Sequence, residues 1–212
     1  MRHNPVLNHR VIGITGGISM GKTTVSTYLE THHQLTVLDA DIYARDAVVP
    51  GSQAIAAITD RYGPTILLTD GTLDRPALGT RIFTDPAERR WVEAQIHPFV
   101  RMKLIQNRDR ALQESPDRPV VLVVPLLFEA GMTDLVTETW VIYCSHDRQL
   151  QRLITRSNLS EAQAQDRISS QLDIQIKCSK ATWVLDNSTQ VVDLYAQIDR
   201  AISRPRETEE RC

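Results

Sequence analysis

Glycine, lysine and threonine occur near the start of the chain at a spacing that can hold a polyphosphate. The run Gly16–Thr23 reads GGISMGKT and fits the pattern G-x-x-x-x-G-K-[ST]. Glycines permit positive φ angles, so successive backbone N–H groups can point at phosphate oxygens. The Lys22 ammonium can reach the β- and γ-phosphates, and the Thr23 hydroxyl can ligate Mg²⁺. The loop predicts binding of a nucleoside triphosphate, and we expect ATP with Mg²⁺.

A chance match in a glycine turn is the alternative explanation of this run. With glycine near 7% of residues, the four specified positions coincide by accident in roughly one chain in a hundred. The flanking sequence makes chance rarer still. The apolar run Val11–Thr15 precedes the loop and a helical pattern over Thr23–Thr31 follows it, as the motif requires.

Two carboxylates, Asp39 and Asp41, lie at the carboxyl end of the second apolar run, Thr36–Asp39. Ligand sites in open α/β sheets lie outside the carboxyl ends of the strands, so Asp39 is placed to accept the proton of an attacking hydroxyl. Asp41 precedes a helical pattern and suits the alternative role of a helix N-cap better than Asp39 does. We predict Asp39 as a catalytic base and leave Asp41 open between a cap and a functional role.

Three arginines lie on one face of a predicted helix, at positions i, i+4 and i+8: Arg148, Arg152 and Arg156. A solvated helix face is the usual alternative, and we keep it for Arg148 at the start of the helix. Arginine offers several donors and a permanent charge to phosphate. We therefore predict that Arg152 and Arg156 clamp the triphosphate.

Signals of other phosphate-loop proteins are missing from the chain. The only D-x-x-G run, Asp60–Gly63, falls in a helical pattern rather than at a strand end, and no NKxD base reader is present. The third apolar run, Val120–Val124, continues into PLLFE instead of ending in the aspartate usual for a motor ATPase. These features favour a kinase that acts on a small molecule.

Five apolar runs rich in Val, Ile and Thr are typical of strands buried on both faces. They are Val11–Thr15, Thr36–Asp39, Val120–Val124, Thr139–Tyr143 and Thr182–Leu185. Helical patterns alternate with them, as at Thr23–Thr31, Arg148–Arg156 and Val191–Ile202. The alternation predicts an α/β fold in which a five-stranded parallel sheet lies between helices on both faces, a three-layer sandwich.

The gap between the second and third strands is too long for a plain loop. It holds helical patterns at Ser52–Tyr62, Pro76–Phe83 and Pro86–Leu112. We predict a core at 11–41 and 119–203 with a helical, acceptor-binding insertion at 42–118. The polar stretch 147–180 is predicted to be a mobile lid, and the charged tail 204–212 to be disordered.

Composition limits the partners and the location that we expect. The 212 residues carry a formal net charge of −2, which favours neither a nucleic acid nor a membrane surface. The three cysteines are widely spaced, a pattern typical of a reducing compartment rather than of a disulfide framework. We predict a cytoplasmic protein with small-molecule partners, and the sequence leaves its oligomeric state open.

With these features in place, the chain resembles the dephospho-coenzyme A kinase family from Val11 to Asn187. The matching segments are TGGISMGKT at Thr15–Thr23, DADIYAR at Asp39–Arg45, DGTLDRPAL at Asp70–Leu78, IHP at Ile96–Pro98, VPLLFE at Val124–Glu129, QLQRLITR at Gln149–Arg156, RISSQ at Arg167–Gln171, and Leu185–Asn187. Many kinases share the phosphate loop. The ordered set of DAD, HP and PLLFE is far more specific.

The resemblance implies an adenylate-kinase-like core, a helical substrate domain and a lid. It implies phosphorylation by ATP of the ribose 3′-hydroxyl of dephospho-coenzyme A, the last step of coenzyme A synthesis. Asp39 would be the base, Lys22, Arg152 and Arg156 would act on the phosphates, and Asn187 would lie near the adenine. The ATP-binding loop would comprise Gly16, Gly17, Ser19, Met20, Gly21, Lys22, Thr23 and Thr24. The acceptor would be contacted by Asp41, Arg45, His97, Leu126, Leu127 and Glu129.

Two residue pairs within the matching segments, Ser19-Met20 and His97-Pro98, lead to separate expectations. The family loop usually has Gly-Ser where this chain has Ser19-Met20, and a positive φ at Ser19 would be strained. Because the motif leaves both positions open, we expect nucleotide binding to survive. The pair His97-Pro98 has an alternative interpretation as a helix interruption with a packed imidazole.

Two other functions remain as rivals at this stage. The first is a kinase for a nucleoside, nucleotide or similar alcohol, which a panel of acceptors would distinguish. The second is a nucleotide-dependent switch that binds ATP or GTP without transferring phosphate.

Overall fold

A computed structural model describes residues 9–204 of the chain, except the side chains of Phe83 and Thr84. The strands are β1 (Val11–Gly16), β2 (Thr36–Asp39), β3 (Val120–Val123), β4 (Glu138–Tyr143) and β5 (Trp183–Asp186). The helices are α1 (Lys22–Thr31), α2 (Ala40–Asp46), α3 (Gln53–Tyr62), α4 (Arg75–Thr84), α5 (Pro86–Glu114), α6 (His146–Ser157), α7 (Glu161–Ser169), α8 (Ile174–Ser179) and α9 (Val191–Ser203). Except for Arg204, the predicted disordered tail lies outside the described residues.

The five strands form one sheet in the order β2-β3-β1-β4-β5, and the predicted fold class is confirmed. β1 pairs in parallel with β3 and with β4, and β4 pairs in parallel with β5. All six residues of β1 and all four of β3 are buried, as continuous apolar runs require. Each predicted strand matches an observed one to within one residue at either end.

One face of the sheet carries the largest apolar cluster. Alternate residues of the central strands, such as Ile12, Ile14 and Trp140, point into it. They meet Val25 and Leu29 of α1, and the buried residues Leu194, Ile198 and Ala201 of α9. Helix α1, which begins directly at the predicted phosphate loop, is thereby packed firmly against β1 and β3.

The segment after β3 covers Gly13 on the other face. A Cβ at Gly13 would lie 2.9 Å from Val136 Cγ1 and 3.1 Å from Leu127 Cδ2, so a larger residue would collide there. Buried Arg108, near the end of α5, donates from Nη1 to the carbonyl oxygen of Leu135 at 3.0 Å. The chain around 125–136 is thus held against β1, next to the loop that follows the strand.

Residues Asp39–Asn107 form a second compact unit, while the predicted insertion spans 42–118. This unit is helical, as expected from the sequence, and has its own apolar cluster around Ile55, Ile58, Ile66 and Val92. Helix α5 runs from Pro86 to Glu114 with Pro98 inside it. The interpretation of His97-Pro98 as a helix interruption is therefore wrong, because the backbone remains helical through both residues.

The predicted lid region folds as helices α6, α7 and α8. Leu150, Leu153 and Ala164 form a small buried cluster, against which Ile18 of the phosphate loop also packs. Such a cluster is modest beside the core of the sheet, so little apolar burial fixes these helices. Among the described residues, none of the helices is both long and apolar enough to cross a membrane.

Candidate nucleotide-binding site

The phosphate loop turns sharply between β1 and α1, and two of its glycines are irreplaceable on geometric grounds. Gly16 has φ of 142°, and a Cβ there would lie 2.4 Å from the carbonyl oxygen of Ile142. Gly21 has φ of 105°, and its Cβ would lie 2.2 Å from Asn187 Nδ2. Contacts this short do not occur between real atoms, so both positions require glycine.

Helix α1 directs its N-terminus toward the loop. Its first turn contains no acidic residue, and Val25 N is the donor that bonds Gly21 O at 3.3 Å. The N–H groups of residues 22, 23 and 24 precede that donor and have no intrahelical carbonyl to bind. Together with the positive end of the helix dipole, they form a site suited to an anion.

The Lys22 ammonium bends back over the loop. Its Nζ donates to Gly17 O at 2.8 Å and to Gly16 O at 3.1 Å. Lys22 is half-buried, whereas the neighbouring Thr23 is exposed. The ammonium and the Thr23 hydroxyl therefore lie at adjacent positions of the first helical turn, where a bound polyphosphate would meet the chain.

Ser19 adopts the conformation that the sequence analysis identified as strained. Its φ is 59°, in the left-handed region that favours glycine. Its Oγ is buried and has no hydrogen-bond partner within residues 9–204. An unpaired buried hydroxyl and a left-handed non-glycine residue each raise the free energy of the folded protein. Both lie in the middle of the predicted phosphate loop.

Met20 fills the space beneath the loop. It is 1% exposed, belongs to the main apolar cluster, and its Sδ accepts a hydrogen bond from Gly17 N at 3.3 Å. A serine in that place would leave much of this volume empty. The substitution seen in the sequence thus adds an apolar contact under the loop.

Two glutamines of the predicted lid region hold the phosphate loop. The sequence patterns had given neither of them a role. Gln149 Nε2 donates to Ile18 O at 3.0 Å, and Gln171 Oε1 accepts from Ile18 N at 2.8 Å. Both polar groups of one loop residue are satisfied in this way. Each glutamine lies in a run quoted for the family resemblance, but those runs carry no chemical signal that singles out a glutamine.

Arg152 and Asn187 meet at the C-terminal side of the loop. Buried Asn187 donates from Nδ2 to Met20 O at 2.9 Å, and Arg152 Nη2 lies 3.5 Å from both Asn187 O and Asn187 Oδ1. Arg152 Nη1 is buried without a partner among the described residues. The guanidinium therefore has donor capacity beside the loop, and the role of Arg152 in a phosphate clamp stays a prediction.

The other two arginines of α6 are exposed. Arg148 donates from Nη1 to the carbonyl oxygen of Ser188, at the start of the helix. Arg156 lies in the last turn of α6. Its predicted role in the clamp stays a prediction.

A cavity of about 440 Å³ adjoins the loop and is bordered by Gly17, Met20, Gln149 and Gln171. Cys144 also lines it, and burial raises the pKa of this thiol although Arg152 and Arg148 lie near enough to oppose the shift. A thiol with a raised pKa stays protonated at neutral pH and is a poor nucleophile. The cavity therefore offers space and hydrogen-bonding groups rather than a reactive cysteine.

The predicted acceptor residues after β3 are engaged within the protein. Leu127 is fully buried against Gly13. Glu129 Oε1 lies 2.7 Å from Lys177 Nζ and accepts from Leu172 N at 3.2 Å. The Lys177 side chain is completely buried, so the carboxylate of Glu129 balances its charge.

Asp39 ends β2 and caps α2, with its Oδ1 accepting from Asp41 N at 2.8 Å. The interpretation of Asp41 as the better cap is wrong, because Asp41 already lies in the first helical turn. Asp41 and Arg45 are exposed on α2, and His97 is half-buried within α5. The structure thus leaves the side chains of Asp41 and Arg45 accessible to solvent.

The sheet order, the phosphate loop and the adjacent arginine define a P-loop kinase fold. Within that class, a sequence model of the dephospho-CoA kinase family matches residues 10–193, and this chain belongs to that family.

Individual relatives agree with this assignment. The chain is 51% identical to the dephospho-CoA kinase of Trichormus variabilis, over 93% of this chain and 98% of that protein. A solved structure from Thermus thermophilus superposes with a TM-score of 0.77 and 32% identity, covering 92% of this chain and 96% of that one. The dephospho-CoA kinase of Campylobacter jejuni, with a TM-score of 0.66 and 24% identity, covers 91% and 94% and supports the fold.

Proposed function

We propose that this chain transfers the γ-phosphoryl group of ATP to the ribose 3′-hydroxyl of dephospho-coenzyme A, giving coenzyme A and ADP. Membership of the family supports this reaction. The relative from Trichormus variabilis, which is 51% identical to this chain, is named dephospho-CoA kinase. The observation that carries the proposal is the phosphate loop, with Lys22 folded over it at the N-terminus of α1.

The triphosphate binds to the loop between Gly16 and Thr24. Backbone N–H groups at the start of α1 and the Ser19 hydroxyl donate to phosphate oxygens. Lys22 exchanges the carbonyl oxygens of Gly16 and Gly17 for the β- and γ-phosphates, which are stronger partners for an ammonium. Asn187 Nδ2 donates to Met20 O and so supports this region. We also propose that Asn187 lies near the adenine, as the family resemblance implies.

Mg²⁺ accompanies the triphosphate in this proposal. Mg²⁺ prefers oxygen donors and usually keeps only one or two protein ligands beside phosphate and water. The exposed hydroxyl of Thr23, in the first turn of α1, is a donor of that kind. When bound, the ion neutralises charge on the β- and γ-phosphate oxygens.

Arg152 and Arg156 supply further positive charge from the lid at 147–180. Arg152 already lies beside the loop with an unpaired buried donor, which suits an oxygen of the transferring group. Arg156 is exposed and reaches the phosphates when the lid closes. Closure also excludes water, which would otherwise compete with the acceptor.

Asp39 accepts the proton of the 3′-hydroxyl as that oxygen attacks the γ-phosphorus in line. The hydrogen bond from Asp41 N uses one lone pair of Oδ1 and fixes the carboxylate, leaving acceptor capacity on both oxygens. The hydroxyl proton moves to the carboxylate as the ribose oxygen forms its bond to the γ-phosphorus, and the electron pair of the broken bond leaves on the β-phosphate oxygen of ADP.

The acceptor molecule is held by residues of α2, α5 and the loop after β3. Exposed Asp41 and Arg45 offer a carboxylate and a guanidinium, and His97 an imidazole. Leu126 offers apolar surface, whereas Leu127 and Glu129 act mainly by fixing the loop, because one is buried and the other pairs with Lys177.

We also propose a cytoplasmic location with small molecules as partners. The described cysteines, Cys144 and Cys178, are both free thiols, the form that a reducing compartment maintains. Coenzyme A synthesis consumes ATP, which is supplied there.

The decisive experiment measures ADP release by purified protein with ATP, Mg²⁺ and a panel of acceptors. We expect rapid release with dephospho-coenzyme A, and the product should carry the new phosphate at the ribose 3′ position. Faster release with a nucleoside or nucleotide would favour a different small-molecule kinase. Nucleotide binding with no acceptor-dependent release would favour a switch.

A further inference from the structure

Two consecutive histidines follow the last residue of α1, Thr31, at the end of the helix that is far from the phosphate loop. His32 is the C-cap residue of α1, and His33 follows it where the chain leaves the helix. Neighbouring residues inside a helix do not share a face, but here the backbone turns, and Gln34 adopts a φ of 54°. The two rings therefore lie together, with centroids 5.1 Å apart.

A carboxylate from a distant helix completes a group of three metal-binding side chains. Asp199 of α9 lies beside His33, with Oδ1 2.8 Å from His33 Nε2. One donor atom from each of His32, His33 and Asp199 can be chosen so that all three lie within 4.8 Å of one another. Two imidazoles and a carboxylate are the ligands that borderline divalent ions such as Zn²⁺ prefer.

Aromatic packing orients the three side chains before any ion binds. The Tyr28 ring stacks on Tyr195 at 4.0 Å and on His32 at 4.8 Å, forming a column of three rings. Tyr28 OH donates to Asp199 Oδ1 at 3.1 Å. The same hydroxyl lies 3.2 Å from Asp199 Oδ2, so it holds the carboxylate from one side. Carboxylates that ligate a metal ion are commonly held by an outer-shell hydrogen bond of this kind.

We propose that His32, His33 and Asp199 bind one Zn²⁺-like divalent ion and so connect the C-terminal end of α1 to α9. Donor atoms around a four-coordinate zinc ion are about 3.3 Å apart, given bonds of about 2.0–2.1 Å. Side-chain rotations can close the remaining gap, because His32 is exposed and the Asp199 side chain is 46% exposed. Water takes the fourth position.

The proposed metal site lies at the C-terminal end of α1, at the opposite end of the helix from the phosphate loop. It is independent of the kinase reaction. An ion at this place would fasten the helix that carries the phosphate loop to α9, against which α1 already packs. The expected consequence is a more stable sheet domain when zinc is present, with no ion needed for phosphoryl transfer beyond the one that accompanies ATP.

The test uses untagged, nucleotide-free protein and Co²⁺ as a spectroscopic substitute for Zn²⁺. Excess Mg²⁺ is kept in the buffer to saturate sites made only of oxygen. We expect one equivalent of Co²⁺ to bind with visible absorption bands, and Zn²⁺ to displace it. Zn²⁺ should also raise the Tm of the wild type.

Variants assign the binding to the cluster. His32→Ala and His33→Ala should each abolish the absorption and the Zn²⁺-dependent rise in Tm. Tyr28→Phe keeps the ring column but removes the outer hydrogen bond, so we expect Co²⁺ to bind roughly tenfold more weakly. His9→Ala, a histidine outside the cluster, is the matched control and should bind like the wild type.

Two outcomes would overturn the proposal. One is the absence of saturable Co²⁺ binding to wild-type protein. The other is binding that persists in His33→Ala with unchanged stoichiometry. Acceptor-dependent ADP release by the same wild-type protein is measured separately, so failure of the zinc site leaves the proposed reaction untouched.

Discussion

Asp39 shows how one side chain can serve structure and chemistry together. Its carboxylate caps α2 by accepting a hydrogen bond from the N–H group of Asp41. We propose that the same carboxylate takes the proton of the substrate's ribose 3′-hydroxyl. The amide of asparagine can cap a helix almost as well as a carboxylate, but it cannot act as a base. The two roles can therefore be separated by a substitution of nearly identical shape.

We expect Asp39→Asn to lower kcat by about 10²–10⁴, the usual contribution of a general base. The Kd for ATP and the Tm should change little, because the cap is retained. Turnover with dephospho-coenzyme A and ATP binding by calorimetry check the two halves of this prediction. Asp46→Asn, an exposed carboxylate at the end of α2 with no role in the proposed reaction, is the matched control. Near-normal turnover in Asp39→Asn would remove Asp39 from the mechanism.

Ser19 has two features that destabilise the folded protein, a positive φ and a buried hydroxyl without a partner among the described residues. Two different substitutions can separate their effects. Its φ of 59° is costly for any residue with a Cβ, and its buried Oγ lacks a partner within the described chain. We expect Ser19→Gly to raise the free energy of unfolding by about 1 kcal/mol or more without nucleotide, because it removes both costs. Urea unfolding of the nucleotide-free protein measures the gain.

The matched variant Ser19→Ala keeps the backbone strain and loses only the hydroxyl. If the hydroxyl donates to a phosphate oxygen, both variants should bind ATP about tenfold more weakly, as loss of a charge-assisted hydrogen bond predicts. Unchanged ATP affinity in both would show that Ser19 contributes only strain.

At the scale of the elements, the phosphate loop is held by residues of the lid region as well as by its own strand and helix. Gln149 at the start of α6 and Gln171 after α7 bind the two polar groups of Ile18. Ile18 also packs on the apolar cluster of the lid. The helices of the predicted lid region and the phosphate loop are therefore directly connected.

Removal of the Gln171 side chain should loosen that connection. Gln171→Ala leaves the N–H of Ile18 without its acceptor, which costs about 1–3 kcal/mol when the group remains buried. We expect a lower Tm and a higher KM for ATP, with a smaller effect on kcat. Gln165→Ala, an exposed position on α7, is the control. Equal kinetics in the two variants would contradict a role for Gln171 in shaping the loop.

At the scale of the whole molecule, we expect acid to destabilise the unit Asp39–Asn107. The group that responds is a surface cluster around Glu88. Glu88 accepts from Arg61 Nη2 at 2.6 Å and from Tyr62 OH, and Arg61 lies over the Trp91 ring. The hydrogen bonds from Arg61 and then Tyr62 lower the pKa of Glu88 from 4.5 to about 2. The cluster joins the end of α3 to the start of α5.

A lowered pKa stabilises the folded state only where the carboxylate is ionised. The contribution of Glu88 is complete above pH 4.5 and is lost as the pH falls toward about 2. We expect the difference in Tm between wild type and Glu88→Gln to be largest near neutral pH and to shrink across that interval. Calorimetry at several pH values measures it. A difference independent of pH would exclude this linkage.

The sequence by itself determined the phosphate loop, the five strands and the family. The loop is a local pattern, and strands buried on both faces leave continuous apolar runs, so neither depends on distant partners. Pro86–Leu112 was similarly readable as a helix from its periodicity, although Pro98 lies inside it. Local patterns of this kind survive any arrangement of the elements in space.

Only the tertiary structure decided which side chains meet at the loop and elsewhere. Gln171 bonds Ile18 across 153 positions of sequence, and Asn187 bonds Met20 across 167. The ion pair of buried Lys177 with Glu129 and the approach of Asp199 to His33 likewise join distant segments. Such contacts depend on the order in which parallel strands pair and on where the crossover helices return. No spacing along the chain encodes that order, and even the choice of Asp39 over Asp41 as the helix cap required the backbone angles.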